Sequence, residues 1–263
     1  MGAMNSYQER LEERVMEPLR TPGRAWYYVF VVLAVVLGWG LFAYVYQLRN
    51  GLVVTGMRDR ILWGLYITNF VFFIGISHAG TLISAILRAA QAGWRTPVTR
   101  MAEFITVVAL TVGGLMPMID LGRPDRIPNL FIYGRWQSPI LWDMLAITTY
   151  LIASVAYLYL PMIPDLAIAR DRLDSSANAL KVRFYRSAAL GWQGTPRQRQ
   201  LLQRAMLFMM VLIIPIAVSV HTVVSWIFAM TLREPWNSTV FGAFFVAGAI
   251  FSGVAVLILM MAA

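Results

Sequence analysis

The chain has 263 residues, 59% of them hydrophobic and 13% charged, with a net charge of +9. Soluble domains average about 25% charged residues, so this composition describes an integral membrane protein. The sequence has no cysteine and only two histidines, His78 and His221, which excludes a disulfide, a Cys-ligated zinc and an iron–sulfur cluster of its own.

The first 24 residues are charged and polar and do not read as a signal peptide. Six apolar runs follow, at Ala25–Gln47, Ile61–Leu87, Met101–Ile119, Pro139–Leu160, Ala205–Met230 and Ser238–Ala263. Lipid offers the backbone no hydrogen-bond partner, and no barrel-like alternation is present, so all six are predicted helices. The fold class is therefore an all-α, multi-span helical bundle. The loop at 161–204 is charged and fits a connector lying along the membrane surface. The last run reaches the end of the sequence with no polar anchor, which predicts that the native polypeptide continues.

Fifteen Lys and Arg residues fall in the N-terminal segment and the second and fourth loops, against seven in the other loops. The positive-inside rule then places the N-terminus in the cytoplasm. No basic cluster is interleaved with aromatics, so the charge does not point to nucleic acid.

Polar residues inside the runs sort by height, measured from each run's midpoint at ~1.5 Å per residue. Toward the outer side lie Tyr66 and Asn69, Asp120 with Arg123, Ser138, Trp142, Asp143 and His221. Toward the inner side lie His78 and Glu103, with Ser77, Thr81, Ser84 and Arg88 on one face of the second helix. On this scale His78 and His221 differ in height by about 11 Å, which argues against both ligating one haem iron. Ionisable residues at such depth are functional candidates by default. Trp63, Trp142, Trp26 and Tyr66 also fit an interfacial aromatic belt.

FIGISHAGTLISAILR at residues 73–88, DLGRP at 120–124 and SPILWD at 138–143 resemble NrfD-type membrane subunits of the polysulfide-reductase class. The likeness is nearest to the larger NrfD-like subunits of alternative complex III, and it extends from about Trp26 to Trp236. It implies an NrfD-like four-helix bundle at 61–230 from the second to fifth spans. The helix at 25–47 would be peripheral, and the helix at 238–263 would begin a second bundle.

The resemblance also implies a quinone or quinol ligand, with menaquinone expected, no haem or iron–sulfur cluster on this chain, and a bacterial cytoplasmic membrane. The implied partners are an iron–sulfur protein at the outer face, a multihaem cytochrome c, other membrane subunits and a second NrfD-like subunit. By position, the implied quinol contacts are Tyr66, Asn69, Asp120, Arg123, Ser138, Trp142 and Asp143.

The expected activity is quinol oxidation at the outer face as part of a respiratory or photosynthetic complex. Asp143 and then Asp120 are the expected proton acceptors, Arg123 would stabilise the resulting anion, and His221 would bond a quinone oxygen. His78, Glu103, Thr81 and Ser84 form an expected proton path from the inner side, with Glu103 as partner of His78. Two rival readings are a multi-pass transporter and a b-type cytochrome ligated by His78 and His221.

Overall fold

The computed structural model describes residues 23–58, 63–172, 178–232 and 236–262. Most of the expected N-terminal segment 1–24 lies outside the described residues, as do Ile61 and Ala263 at the ends of two expected spans. Contacts divide the chain into two units, Met1–Thr55 and Gly56–Ala263. In the first, α1 runs over Arg24–Asn50 and a 3-10 turn follows at Leu52–Thr55. Gly51 ends α1 at φ +77, donating its N–H to Gln47 O at 2.8 Å, a left-handed cap that favours glycine.

The second unit carries α2 (Leu65–Ala89), α3 (Arg95–Asp120), the one-turn α4 (Asn129–Ile132), α5 (Pro139–Arg172), α6 (Ala179–Ala188), α7 (Pro196–Ala229) and α8 (Phe241–Ala262). α2, α3, α5 and α7 pack as a ring, each against the next, and α7 returns to α2. α8 lies on the remaining face of α2 and also touches α3 and α7. Among the described residues six helices, α1 included, are long and apolar enough to cross a membrane. One end of the bundle, the Asp120 end, carries Leu65, Asp120, Pro139, Ala229 and Phe241. The other, the Arg88 end, carries Ala89, Arg95, Arg172 and Pro196.

α2 is the most buried of the spans because small residues let its neighbours approach on two sides. A Cβ at Gly75 would stand 3.2 Å from Ala249, and one at Gly253 would overlap Ala79. A Cβ at Gly80 would stand 2.7 Å from the Ala102 carbonyl oxygen and overlap the Thr106 hydroxyl. The fully buried side chains around this seam include Ile74, Leu110, Tyr150, Ile213, Val220 and Val224.

Two helices overrun their apolar runs at the Arg88 end. α5 continues from Leu160 to Arg172 through Pro161 and Pro164, keeping Ile163, Ala167 and Ala169 buried. α7 begins at Pro196, nine residues before Ala205, because Thr195 and Gln198 form a reciprocal capping box with proline at the first turn. At 34 residues each is about 51 Å long, well beyond a ~30 Å hydrocarbon core. Much of the expected loop at 161–204 is thus helical.

Candidate functional site

Three helices each turn one polar stripe toward the bundle axis at spacings of four and three. They are Ser77, Thr81 and Ser84 on α2, Thr99, Glu103 and Thr106 on α3, and Tyr150, Ser154 and Tyr157 on α5, all buried. Their hydrogen bonds form two clusters. Nearer the centre, Tyr150 OH donates to Ser77 O at 3.0 Å and lies 2.6 Å from Thr81 Oγ1. A phenol has one proton, so Thr81 is the donor in the second bond. Thr106 Oγ1 joins the same Ser77 carbonyl at 3.0 Å.

Nearer the Arg88 end, Glu103 Oε1 accepts from Ser84 Oγ at 2.7 Å and from Arg88 Nη2 at 2.8 Å. Arg88 Nε donates to Tyr157 OH at 3.0 Å. The Glu103 side chain is 1% exposed, and its second oxygen, Oε2, has no hydrogen-bond partner among the described residues. The hydrogen bonds of Glu103 thus go to Ser84 and Arg88 and not to His78. Arg88 is one helical turn beyond Ser84 and brings the opposite charge, which a buried carboxylate requires more than a neutral ring.

His78 lies instead against His221, with ring centroids 4.2 Å apart and planes tilted by 39°. The 11 Å height difference drawn from the sequence is corrected: the two rings share one level. Haem ligation by both is not favoured on a different ground. Axial histidines stand on opposite sides of a porphyrin, whereas these rings touch. His78 Nδ1 and both ring nitrogens of His221 lack hydrogen-bond partners among the described residues.

His221 also stacks on Phe245 of α8, with centroids 4.2 Å apart and planes 12° apart. From there a ladder of rings climbs to the Asp120 end. Phe245 stacks on Phe241, Phe241 on Trp236 and Trp236 on Trp63, with centroid spacings of 5.8, 5.6 and 6.0 Å. Phe228 closes edge-on against Trp63 and Trp236 at 5.0 Å. Trp63 is thus packed among rings rather than standing in a lipid-facing belt, and its Nε1 is buried with no hydrogen-bond partner among the described residues.

The remaining expected quinol residues all sit at the Asp120 end. Asp120 closes α3 and Asp143 lies in the first turns of α5, and each has a buried Oδ1 without a hydrogen-bond partner among the described residues. A buried acceptor in that condition costs free energy until a ligand or proton satisfies it. Arg123 does not reach Asp120. It grips Asp125 in an exposed bidentate pair at 3.2 and 3.0 Å. That hydrogen bond holds the Asp125 carboxyl below its usual range and the Arg123 guanidinium above its own. In this arrangement the partner of Arg123 is thus Asp125 and not Asp120.

Trp142 is 39% exposed and donates Nε1–H to Trp136 O at 2.5 Å, fixing the loop before α5. Ser138, Tyr66 and Asn69 are half-buried at the same end. Tyr150, Tyr157, Thr106 and Phe245 are not among the residues expected from the sequence. The four-and-three spacing of Tyr150, Ser154 and Tyr157, matching that of Ser77, Thr81 and Ser84, was the available signal.

Residues 53–263 match the family described as polysulphide reductase, NrfD. The chain is 34% identical over 245 residues to a protein from Halobacterium salinarum provisionally named as a membrane subunit of dimethyl sulfoxide reductase, covering 93% of this chain and 52% of that one. It is 26% identical over 237 residues to a selenate reductase subunit of Mesobacillus selenatarsenatis, covering 87% and 54%. It is 24% identical over 128 residues to the Hdr-like menaquinol oxidoreductase integral membrane subunit of Archaeoglobus fulgidus, covering 49% and 32%. The chain spans about half the length of the first two of these curated relatives, and less of the third. With the family match running over most of its residues and six spans in the fold, this is an integral, multi-pass membrane protein of the NrfD polysulphide reductase family.

Proposed function

We propose that this chain is the quinol-binding part of a membrane subunit in an oxidoreductase complex, and that it oxidises quinol, menaquinol by preference, at the Asp120 end. The observation that supports this most is the pair of carboxylates, Asp120 and Asp143, each with a buried oxygen that no described residue satisfies. Oxidising one quinol breaks two O–H bonds and releases two protons and two electrons. Asp143 takes the first proton and Asp120 the second, since a positioned acceptor is worth about 10²–10⁴ in rate. Trp63 Nε1–H, buried and without a partner among the described residues, is a donor for a ring oxygen at the same end.

The electrons leave one at a time to an iron–sulfur partner docked at that end, which on this reading faces outward. A multihaem cytochrome c and a second NrfD-like subunit, as in alternative complex III, are one partner set compatible with the site. Tyr66, Asn69, Ser138 and Trp142 would line the headgroup's approach. His221 sits deeper, against His78 and Phe245, so the reading no longer asks it to touch the quinone.

The test is Asp143→Asn in the assembled complex, with a soluble menaquinol analogue as donor. Turnover should fall by about 100-fold or more while subunit assembly stays intact. Wild-type turnover would refute the assignment.

A coupled proton path is a second reading, and the two hydrogen-bonded clusters between the histidines and Arg88 favour it. Ser84, Glu103, Arg88 and Tyr157 form the segment nearer the end, and Thr81 and Tyr150 form the one nearer the histidines.

A further inference from the structure

At the Arg88 end, far along α5 and α7 from Asp120, a cavity of about 550 Å³ opens between the last turns of α5 and the first turns of α7. Its walls differ in chemistry. Pro164, Ile168 and Leu202 make an apolar side on the stretches where α5 and α7 extend beyond Leu160 and before Ala205. Trp192 and Gln193, on the turn that leads into α7, and Arg199, in its first turns, make a polar side.

The polar side is prebuilt. Gly191 and Gly194 hold φ values of +66 and +69, which favour glycine, and the Gln198 side chain ties the turn together. Its Oε1 accepts from Gln193 N at 2.9 Å and Thr195 N at 3.3 Å, while its Nε2 donates to Gly191 O at 3.2 Å. Arg170 adds a bond from Nη2 to Trp192 O at 3.0 Å.

The charges in the wall do not all cancel. Asp171 is held by Arg170 through two bonds of 2.7 and 3.0 Å. Arg199 has no ion pair among the described residues, and its guanidinium lies over Gly194, where an added Cβ would stand 3.6 Å from Nη2. Next to the cavity's α5 wall, α6 exposes Leu180 and Phe184 beside Lys181, Arg183 and Arg186, and is tied to α5 by Tyr159 OH donating to Ala188 O at 2.6 Å. Such a basic amphipathic helix suits the level of the lipid headgroups.

We propose that this cavity binds one anionic glycerophospholipid, its phosphodiester on Arg199 and the start of an acyl chain along Pro164, Ile168 and Leu202. A soluble anion would leave the apolar wall unused, and a lipid without net charge would leave Arg199 unanswered. A tryptophan between an apolar and a polar wall is the usual side chain at that depth. The site is at the opposite end from the quinol carboxylates, so it stands or falls apart from the reading made of them.

The test is native mass spectrometry of the delipidated full chain in neutral detergent, with phosphatidylglycerol, phosphatidylcholine and glycerol 3-phosphate as probes. The wild type should retain phosphatidylglycerol over phosphatidylcholine. Arg199→Gln should weaken phosphatidylglycerol retention roughly fivefold or more and leave phosphatidylcholine unchanged. Arg199→Lys should restore most of the preference, which separates lost charge from lost fold. Ile168→Asn, at an exposed position, should weaken retention of both lipids. Equal phosphatidylglycerol retention by the wild type and Arg199→Gln would overturn the proposal. So would displacement of phosphatidylglycerol by equimolar glycerol 3-phosphate, which would mark a soluble-phosphate site. Capture of another polypeptide by a photo-crosslinker at Gln193 in the assembled complex would mark a protein interface and would also overturn it.

Discussion

The rings of His78 and His221 lie against each other in the interior with centroids 4.2 Å apart and planes tilted by 39°, and three of their four nitrogens lack a hydrogen-bond partner among the described residues. Two adjacent imidazoles so deeply buried are compatible only while at most one is charged. If their work is proton handling and not hydrogen bonding between helices, His221→Phe should cost no stability. A phenyl ring keeps the stack on Phe245 and removes two unsatisfied nitrogens. The melting temperature of the purified variant should equal or exceed that of the wild type. A fall of about 3 °C or more would mean that a nitrogen holds a structural bond.

Arg88 and Glu103 should behave as a unit. Arg88→Ala leaves Glu103 with an uncompensated charge at a side chain only 1% exposed, and should destabilise by about 3–5 kcal/mol. Arg88→Met combined with Glu103→Leu removes both charges and should recover most of that loss. Thermal unfolding of the wild type and the two variants in one detergent checks it, and a double variant no more stable than Arg88→Ala would show that the pair is not coupled.

Proton stoichiometry tests the path. A Glu103→Gln, His78→Ala double variant should lower the protons moved per electron in proteoliposomes of the assembled complex, while electron transfer from the quinol analogue continues. An unchanged ratio would remove the path from the mechanism.

Close packing at the α2 seam gives a third stability test. Gly253→Ala places a methyl onto Ala79 and should cost about 1–3 kcal/mol or displace α8. Gly38→Ala in α1 meets nothing within 4 Å and should be neutral or stabilise by up to about 1 kcal/mol. Equal effects at the two positions would contradict the seam.

The six spans were legible because composition alone decides whether twenty residues can live in lipid. That Asp120, Ser138 and Asp143 share one end of the bundle was legible too, because each lies where a helix opens or closes. Histidine depth was not. The midpoint of an apolar run is a poor mark of level: α2 spans Leu65–Ala89, and its centre lies about 4.5 Å nearer His78 than that of the run Ile61–Leu87. α7 overhangs the bundle at the Arg88 end, so its centre shares no plane with that of α2. The partner of Glu103 was hidden for a related reason. Periodicity puts Ser84 and Arg88 on one face, but only packing shows that α3 presents Glu103 there and α5 presents Tyr157.

The glycine and alanine contacts that press α2 between α3 and α8 have a kinematic meaning. A helix locked at Gly75 and Gly253 on one side and Gly80 on the other can neither slide nor roll without steric overlap. α2 is then a stator. On the proposed proton path, transfer between the carboxylate end and the arginine end would then run through protons and side-chain rotations over a fixed backbone, and not through a stroke of this helix.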